Sequence, residues 1–184
     1  MGLSLGIGCL PIEHCVRAGS TGNSIDRYVD INYSDPVSSP QVLPYETTIL
    51  VRDCCLCLHV QRAARALARR FDEALRPFGL TNGQFSLLMS LNRPEPPPMG
   101  PVASLLAMDR TTLTAALKPL QRRRLVKVSP DPSDRRSRIL ILTAEGRELL
   151  AQALPVWKNT HEQIEQLVPN RDPNDLRQAL RELS

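Results

Sequence analysis

The chain has few aromatic residues and no long hydrophobic run. Phe, Trp and Tyr make up only 4% of its 184 residues, although 42% of all residues are hydrophobic. A core of mostly Leu, Val and Ala favours packed helices over a β-sandwich, which draws on aromatic and β-branched residues. No apolar stretch approaches the ~18 residues of a membrane span, and the first residues lack the basic segment of a secretory signal. We therefore expect a mostly α-helical cytoplasmic protein with no membrane partner.

A disulfide framework is also missing. The five cysteines are an odd number, and Cys54, Cys55 and Cys57 crowd into one helical pattern, which is unlike the spacing of a bridged secreted fold. This arrangement favours a reducing cytoplasm. A reactive thiol needs a helix N-terminus or a nearby cation to stabilise the thiolate. Redox sensing by these three cysteines is therefore an alternative to their being small packing residues.

Two further chemistries are disfavoured at the cysteines. A metal site formed by Cys54, Cys57 and His59 poorly matches the ligand spacing of zinc sites, so we expect no metal. A cysteine hydrolase using Cys57 and His59 is excluded by helix geometry, because residues two apart point about 200° apart and cannot share a proton. We therefore predict that the protein is not an enzyme.

Charge is unevenly distributed along the chain. The net charge is +4, but residues 1–49 carry five acidic residues against two arginines, which is −3, so the remainder carries +7. A basic domain suggests a polyanionic partner such as nucleic acid. Residues 1–48 show no sustained period and are rich in Gly, Ser, Asn and Pro, which predicts an irregular or disordered N-terminal extension. Residues 49–184 form the predicted folded domain.

Local signals predict the first helices of that domain. Apolar residues at spacings of three and four predict a helix from about Leu50 to Leu75, and Pro77 and Gly79 end it. Thr81 and Gln84 form a capping box for a second helix at about 82–92.

A proline-rich connector, "RPEPPPMGP", leads into a helix-turn-helix pattern. Its five prolines remove backbone donors, so it cannot lie inside a helix. A short apolar helix, "PVASLLAM", precedes Asp109, whose carboxylate suits the N-cap of the helix "RTTLTAALKPLQRRR". In that helix Leu113, Leu117 and Leu120 share an inner face, and Pro119 should distort or shorten it.

Two β-like runs follow, "LVKVS" and "RILILT", and the segment "PDPSDRR" between them predicts a hairpin. Its turn gathers Arg135, Arg136 and Arg138, whose repulsion costs stability unless an anionic partner or neighbouring acids offset it. Thr143 then caps a long helix, and the pair Asp172–Pro173 starts the last one.

This order of elements predicts a winged helix-turn-helix. A helix fits the major groove of B-DNA and presents its N-terminal side chains to base edges. A hairpin tip rich in arginine reaches the electronegative minor groove beside it. We therefore predict double-stranded DNA as partner, with no cofactor. The predicted contacts are hydroxyls that bond bases or phosphates and cations that reach phosphates: Thr111, Thr112, Thr114, Lys118 and Arg122 on the helix, and Arg135, Arg136 and Arg138 on the hairpin.

Three segments, "GLTNGQFSLL", "MDRTTLTAALKPLQRRRLV" and "DRRSRILILTAEGRELL", resemble in order and spacing the multiple-antibiotic-resistance (MarR) regulators of bacteria. The resemblance covers about Asp53 to Leu183. It implies a homodimer joined by the first and last helices, a pseudo-palindromic operator, and repression relieved by a small molecule, commonly an aromatic acid, or by thiol oxidation. It also places Arg110 on the recognition helix and makes Asp134 the acid that braces a wing arginine. The proline-rich connector departs from the short strand that is usual there.

The last two helices carry the predicted dimerisation surface. A broad apolar stripe on a long helix near the chain end favours dimerisation over intramolecular packing, which is the alternative. The residues assigned to it are Leu150, Trp157, Ile164, Leu176 and Leu180. The predicted DNA contacts also have purely structural alternatives. The threonines could be ordinary surface residues, and the wing could be a solvated turn. Arg122 to Arg124 could serve only to complement the C-terminus of their helix.

Overall fold

The computed structural model describes residues 42–134, 136–168 and 170–183. The chain divides into two compact units, residues 1–63 and 64–184. The irregular extension predicted for residues 1–48 lies largely outside the described ranges, and so does Arg135. No helix among the described residues combines the length and apolarity needed to cross a membrane.

The first unit contains a helix break that the sequence did not predict. Helix α1 spans Tyr45–Cys54 and helix α2 spans Leu56–Leu75, with Cys55 between them in an extended conformation (ψ 102°). The single helix predicted from about Leu50 to Leu75 is therefore wrong. The break is stabilised by the Cys55 thiol, whose sulfur accepts the Leu58 N–H (3.4 Å) and so caps the start of α2.

The second unit contains the C-terminal part of α2 and the remaining elements. A 3-10 turn at Arg76–Phe78 follows α2. The elements that come after it are α3 (Asn82–Ser90), α4 (Met99–Leu105), α5 (Arg110–Arg122), β1 (Val126–Pro130), β2 (Arg138–Leu142), α6 (Ala144–Glu165) and α7 (Pro173–Arg181). The predicted fold class, mostly α-helical with a small hairpin wing, is confirmed.

Most predicted helix boundaries are confirmed by their capping contacts. Gly79 adopts a left-handed conformation (φ 63°) after α2, where only glycine is free of steric cost. Thr81 forms the complete capping box of α3 with Gln84. Thr143 and Asp172 accept backbone N–H groups at the starts of α6 and α7. These helices begin where they do because short polar side chains satisfy amides that the helix leaves unpaired.

The hairpin is a two-stranded antiparallel sheet in which Val126 faces Leu142 and Pro130 faces Arg138. The short third strand that is usual in the family is reduced here to one bridge between Pro98 and Ile139, in line with the departure noted in the sequence. The prolines of the connector explain this, because they have no N–H to offer a ladder.

A leucine-rich core holds α5 and the hairpin against the other helices. Fully buried side chains come from α2, α3, α4, α5 and β2, and they are Leu75, Leu87, Leu88, Val102, Leu113, Leu117, Leu120 and Leu140. Burial of each such side chain contributes roughly 1.5–3 kcal/mol. The orientation of α5 is therefore fixed by packing on one face, which leaves its other face to solvent.

Candidate nucleic-acid interface

Helix α5 has an apolar face, which packs on the core, and a polar face, which is exposed to solvent. Leu113, Leu117 and Leu120 are buried. The side chains of α5 that are predicted to contact DNA are all exposed, and they are Arg110, Thr111, Thr112, Thr114, Lys118 and Arg122. The structure therefore brings this group together on one surface. Pro119 does not end α5, which continues to Arg122.

The N-terminus of α5 is fixed by Asp109. Its Oδ1 accepts the Thr112 N–H (2.7 Å) and its Oδ2 accepts the Thr112 hydroxyl (2.7 Å). These bonds hold the pKa of the Asp109 carboxyl below its usual value, because hydrogen bonds to a carboxylate favour its charged form. The predicted N-cap role is confirmed, and the bond to the Thr112 hydroxyl is additional.

The three arginines at the end of α5 do not share one role. The Arg123 guanidinium donates hydrogen bonds to the carbonyl oxygens of Phe78 (3.1 Å) and Gly79, which lie just before α3. Arg124 adopts a left-handed conformation (φ 59°), and Arg122 is exposed on α5. Arg123 thus anchors α5 to the turn before α3, a role that the sequence pattern did not reveal because the partners are about 45 residues away.

The turn of the wing is organised by two aspartates. Asp131 accepts the backbone N–H (2.8 Å) and the hydroxyl (2.6 Å) of Ser133. Hydrogen bonds from Ser133, first through its hydroxyl, lower the pKa of the Asp131 carboxyl. Asp134 Oδ1 accepts the backbone N–H of Arg136 (2.9 Å). These bonds shape the backbone, while the side chains of Arg136 and Arg138 are exposed.

The resemblance assigns Asp134 to bracing a wing arginine. In the structure Asp134 supports Arg136 through its backbone amide. This acid therefore shapes the tip of the hairpin, and its relation to the guanidinium of Arg135 falls outside the described residues.

Close packing joins the base of the wing to α6. The Thr143 hydroxyl donates to the Arg124 carbonyl (2.8 Å), and its oxygen accepts the Gly146 N–H (3.0 Å). A Cβ atom on Gly146 would lie only 2.4 Å from the Leu125 carbonyl oxygen. The glycine of the "LTAEG" segment is therefore required by contact with the hairpin.

The residues predicted to form a dimer surface lie in two environments. Leu150 is buried in the core, and Trp157 and Ile164 are half-buried against it. By contrast, Leu176 and Leu180 on α7 are each 42% exposed. Intramolecular packing thus accounts for much of the α6 stripe, and the α7 leucines are uncovered in the single chain. The dimer assignment stays a prediction.

Trp157, on α6, lies at the centre of a group of stacked aromatic rings from three helices. Its ring stacks on Phe71 and Phe85 at centroid distances of 6.1 and 5.9 Å, and on His161 at 4.8 Å. His161 Nε2 lies 3.1 Å from Glu165 Oε1, which also accepts a hydrogen bond from Arg177 on α7. The ion pair with Arg177 lowers the pKa of Glu165, and His161 adds to that effect.

A cleft of about 370 Å³ opens beside Trp157 between α3, α4 and α6. Its walls are mostly apolar, with two serines among the lining residues. The lining residues are Phe85, Ser86, Met89, Ser90, Leu105, Leu106, Leu154 and Trp157. A space of this size accommodates one aromatic ring with a short substituent.

The cysteines lie around the break between α1 and α2. Cys54 and Cys55 are half-buried and Cys57 is exposed. The Cys57 sulfur accepts a hydrogen bond from Gln61 Nε2 (3.2 Å). His59 Nε2 lies 2.9 Å from the Asp53 carbonyl oxygen, and it therefore donates to the backbone. Across the described ranges, His, Cys, Asp and Glu side chains form no group that could hold a metal ion.

Comparison with known proteins agrees with this geometry. Residues 80–137 match the model of the MarR family. The crystal structure of the M. tuberculosis transcriptional regulator MosR in complex with DNA is similar, with 35% identity and a TM-score of 0.62. That match covers 70% of this chain and 92% of MosR.

Two curated relatives are similar over shorter stretches. The HTH-type transcriptional repressor NicR of Pseudomonas putida is 35% identical over 83 residues, which cover 45% of this chain and 52% of NicR. The transcriptional activatory protein BadR of Rhodopseudomonas palustris is 34% identical over 103 residues, which cover 53% of this chain and 59% of BadR. The chain thus spans little more than half the length of these two relatives.

The fold and the exposed helix with its basic wing define a winged-helix transcription regulator. The similarity to MosR extends over nearly all of that protein, and the chain belongs to the MarR family. Members of this family are regulators of transcription and not enzymes.

Proposed function

We propose that this protein binds double-stranded DNA as a homodimer at a pseudo-palindromic operator, and that it represses transcription until a small molecule releases it. The observation that carries the proposal is the exposed polar face of α5 beside a hairpin with exposed arginines. The buried leucines of α5 hold that face outward. Similarity to MosR, whose crystal structure is a complex with DNA, supports DNA as the partner.

The charges on this surface suit a phosphate backbone. Lys118 and Arg122 are exposed on α5, and Arg136 and Arg138 are exposed on the wing. Contacts from lysine and arginine to phosphates release counterions, so binding weakens as salt rises. Asp134 holds the backbone of Arg136, which fixes the point from which the arginine side chain extends.

Salt-dependent DNA retention tests this part of the proposal. Wild-type protein should retain genomic duplex fragments at low ionic strength, and Arg136→Ala should reduce the slope of log affinity against log salt by about one. Arg171→Ala removes an equal charge from an exposed position outside α5 and the wing, and it should leave the slope unchanged. No retention by wild-type protein, or equal slopes for the two variants, would contradict the proposal.

Homodimerisation is supported by the apolar surface that the single chain leaves uncovered on α7. Leu183, just beyond α7, is 61% exposed and adds to the exposed Leu176 and Leu180. Contiguous exposed leucines usually mark an interface. Leu176→Asp should shift the protein toward the monomer in analytical ultracentrifugation, whereas Asp175→Asn on the same helix should not. An unchanged dimer in Leu176→Asp would place the interface elsewhere.

The cleft beside Trp157 is the proposed ligand site. The aromatic rings of Phe85 and Trp157 line it, and such rings stack on planar ligands. Trp157 is the chain's only tryptophan, so its fluorescence reports on the cleft directly. Titration with benzoate and cinnamate derivatives should quench it and release DNA, and Leu154→Phe, which fills the cleft, should abolish both effects. Release of DNA without quenching of the fluorescence would show that the ligand binds outside this cleft.

Repression of transcription is proposed because the chain is similar to the repressor NicR. Activation is the alternative, because BadR is named as an activatory protein. Transcription in vitro from a selected operator distinguishes them. Addition of the protein should lower transcript yield in the repressor case. A higher yield would replace repression by activation and leave DNA binding intact.

Thiol-based release is a second candidate, which the Cys55 sulfur at the start of α2 favours. Peroxide would oxidise one thiol to a sulfenic acid, which condenses with a second thiol to give a disulfide, so that two thiols and one peroxide yield two waters. Replacement of Cys54, Cys55 and Cys57 by Ser should then make DNA binding resistant to peroxide. Continued release from the triple variant would eliminate this candidate.

A further inference from the structure

The hydroxyl of Thr112 has a fixed hydrogen-bond polarity. It lies 2.7 Å from Asp109 Oδ2, and Asp109 Oδ1 is already occupied by the Thr112 N–H. An ionised carboxylate only accepts hydrogen bonds, whereas a hydroxyl has one hydrogen and two acceptor lone pairs. Thr112 therefore donates its single hydrogen to Asp109 and can offer only lone pairs to any other molecule.

The bond from Thr112 to Asp109 is also charge-assisted. Hydrogen bonds to an ionised group are roughly twice as strong as neutral ones. Both Asp109 contacts lower the pKa of its carboxyl, so the group is charged at neutral pH. The Thr114 hydroxyl is also a donor within the helix, to the Arg110 carbonyl (2.7 Å). Because that acceptor is neutral, Thr114 exchanges partners more easily than Thr112 does.

An acceptor-only group distinguishes among the atoms of a duplex. Phosphate oxygens, guanine O6 and N7, and thymine O4 are all acceptors, whereas adenine N6 and cytosine N4 carry donor hydrogens in the major groove. The first residues of a recognition helix face base edges. We infer that Asp109 and Thr112 together select adenine or cytosine on the contacted strand and discriminate against guanine and thymine, with Asp109 acting as a positioning residue.

This inference rests on the proposed DNA binding and narrows the sequence-based prediction, in which the Thr112 hydroxyl bonds bases or phosphates alike. The Asp109 charge repels phosphate oxygens. The Thr112 hydroxyl has no hydrogen left to donate to them, so its lone pairs repel them as well. The contacts to phosphates are then made by cations of the surface, such as Lys118 and Arg122, whereas Thr112 selects the base.

Asp109→Asn is the sharpest test because it frees the Thr112 hydroxyl hydrogen, so that Thr112 is no longer restricted to accepting. The asparagine oxygen must still face the Thr112 N–H, which places the amide nitrogen where Oδ2 was. That nitrogen donates to the Thr112 oxygen and frees the hydroxyl hydrogen to donate outward. Asparagine is as good an N-cap as aspartate, so α5 should keep its stability. A thermal melt of the variant checks that it folds.

Selection from a random duplex library gives the readout. Wild-type protein should enrich a motif in which one position of each half-site holds adenine or cytosine. Asp109→Asn should relax that position alone, with guanine and thymine gaining about tenfold in affinity relative to adenine and cytosine. Asp172→Asn, the same change at the N-cap of α7, should select the wild-type motif. Identical motifs for wild type and Asp109→Asn would overturn the inference.

A change in the DNA provides a test that needs no protein variant. Replacing the selected adenine by purine, or the selected cytosine by 2-pyrimidinone, removes the amino donor. Affinity of wild-type protein should then fall about fivefold, the size expected for one hydrogen bond. Thr112→Val should show no such loss, while Thr112→Ser should show it. An equal loss in wild type and Thr112→Val would also overturn the inference, whereas failure of wild-type protein to enrich any duplex would overturn the proposed function itself.

Discussion

Replacing Gly146 by alanine tests the joint between the wing and α6. An added Cβ would lie 2.4 Å from the Leu125 carbonyl oxygen and 2.8 Å from a Leu142 methyl carbon. Ordinary contact begins at 3.4 Å, so α6 and the hairpin base must separate by about 1 Å. The carbonyl is backbone and cannot rotate away. The hydrogen bonds of Thr143 to both elements would be stretched by the same movement.

The expected destabilisation is about 1–3 kcal/mol. Overpacking of this kind costs roughly 1–3 kcal/mol, and the strained Thr143 hydrogen bonds add about 1 kcal/mol. The higher helix propensity of alanine offsets about 1 kcal/mol of the total. For a domain of this size the midpoint of thermal unfolding should fall by roughly 2–12 °C.

Gly83→Ala is the matched control. Gly83 also lies in the first turn of a helix, but an added Cβ there meets nothing within 4 Å. This change should raise stability by up to about 1 kcal/mol. Both variants should be melted at the same protein concentration, because the proposed dimerisation would make the midpoint depend on concentration. If Gly146→Ala melts at or above the wild-type temperature, the packing argument for the "LTAEG" glycine is refuted.

Three further outcomes are expected. Ala107 holds a left-handed conformation (φ 50°) in the turn between α4 and α5, so Ala107→Gly should raise the free energy of unfolding by about 1 kcal/mol in urea titrations, and a decrease would contradict this. Arg123→Ala should lower stability by about 1 kcal/mol and Arg122→Ala should not, whereas Arg122→Ala should weaken DNA retention; the reverse pattern would exchange their roles. The pKa of Glu165 is lowered chiefly by Arg177, so the carboxylate stabilises the fold above its ordinary pKa of about 4.5 and this contribution is lost as pH falls through the lowered value. The stability difference between wild type and Arg177→Ala should therefore shrink in acid, and a constant difference would argue against the ion pair.

The parts of the fold that depend on neighbouring residues were predictable from sequence. The capping box at Thr81, the N-cap at Asp109 and the stop at Gly79 each involve partners within five residues. Such contacts are encoded by spacing alone. The basic turn of the wing was predictable for the same reason, because its aspartates bond amides only two residues away.

The features that were missed depend on partners or conformations that spacing does not encode. The break at Cys55 occurs without glycine or proline, and its stabilising contact is a weak thiol acceptor. The anchor from Arg123 crosses about 45 residues to Phe78 and Gly79. The polarity of Thr112 could be suspected from the cap pattern, but it required the second oxygen of Asp109 to be located.

The single bridge at Pro98 has a consequence for how the protein behaves in a crowded solution. The edge of β2 is covered by the connector, and Pro97 accepts the Leu140 N–H (2.9 Å). A further strand arriving from outside would need amide hydrogens from the connector, which its prolines do not have. Growth of the sheet therefore stops at this edge, so that a domain with an exposed hairpin is protected from strand-to-strand aggregation on that side.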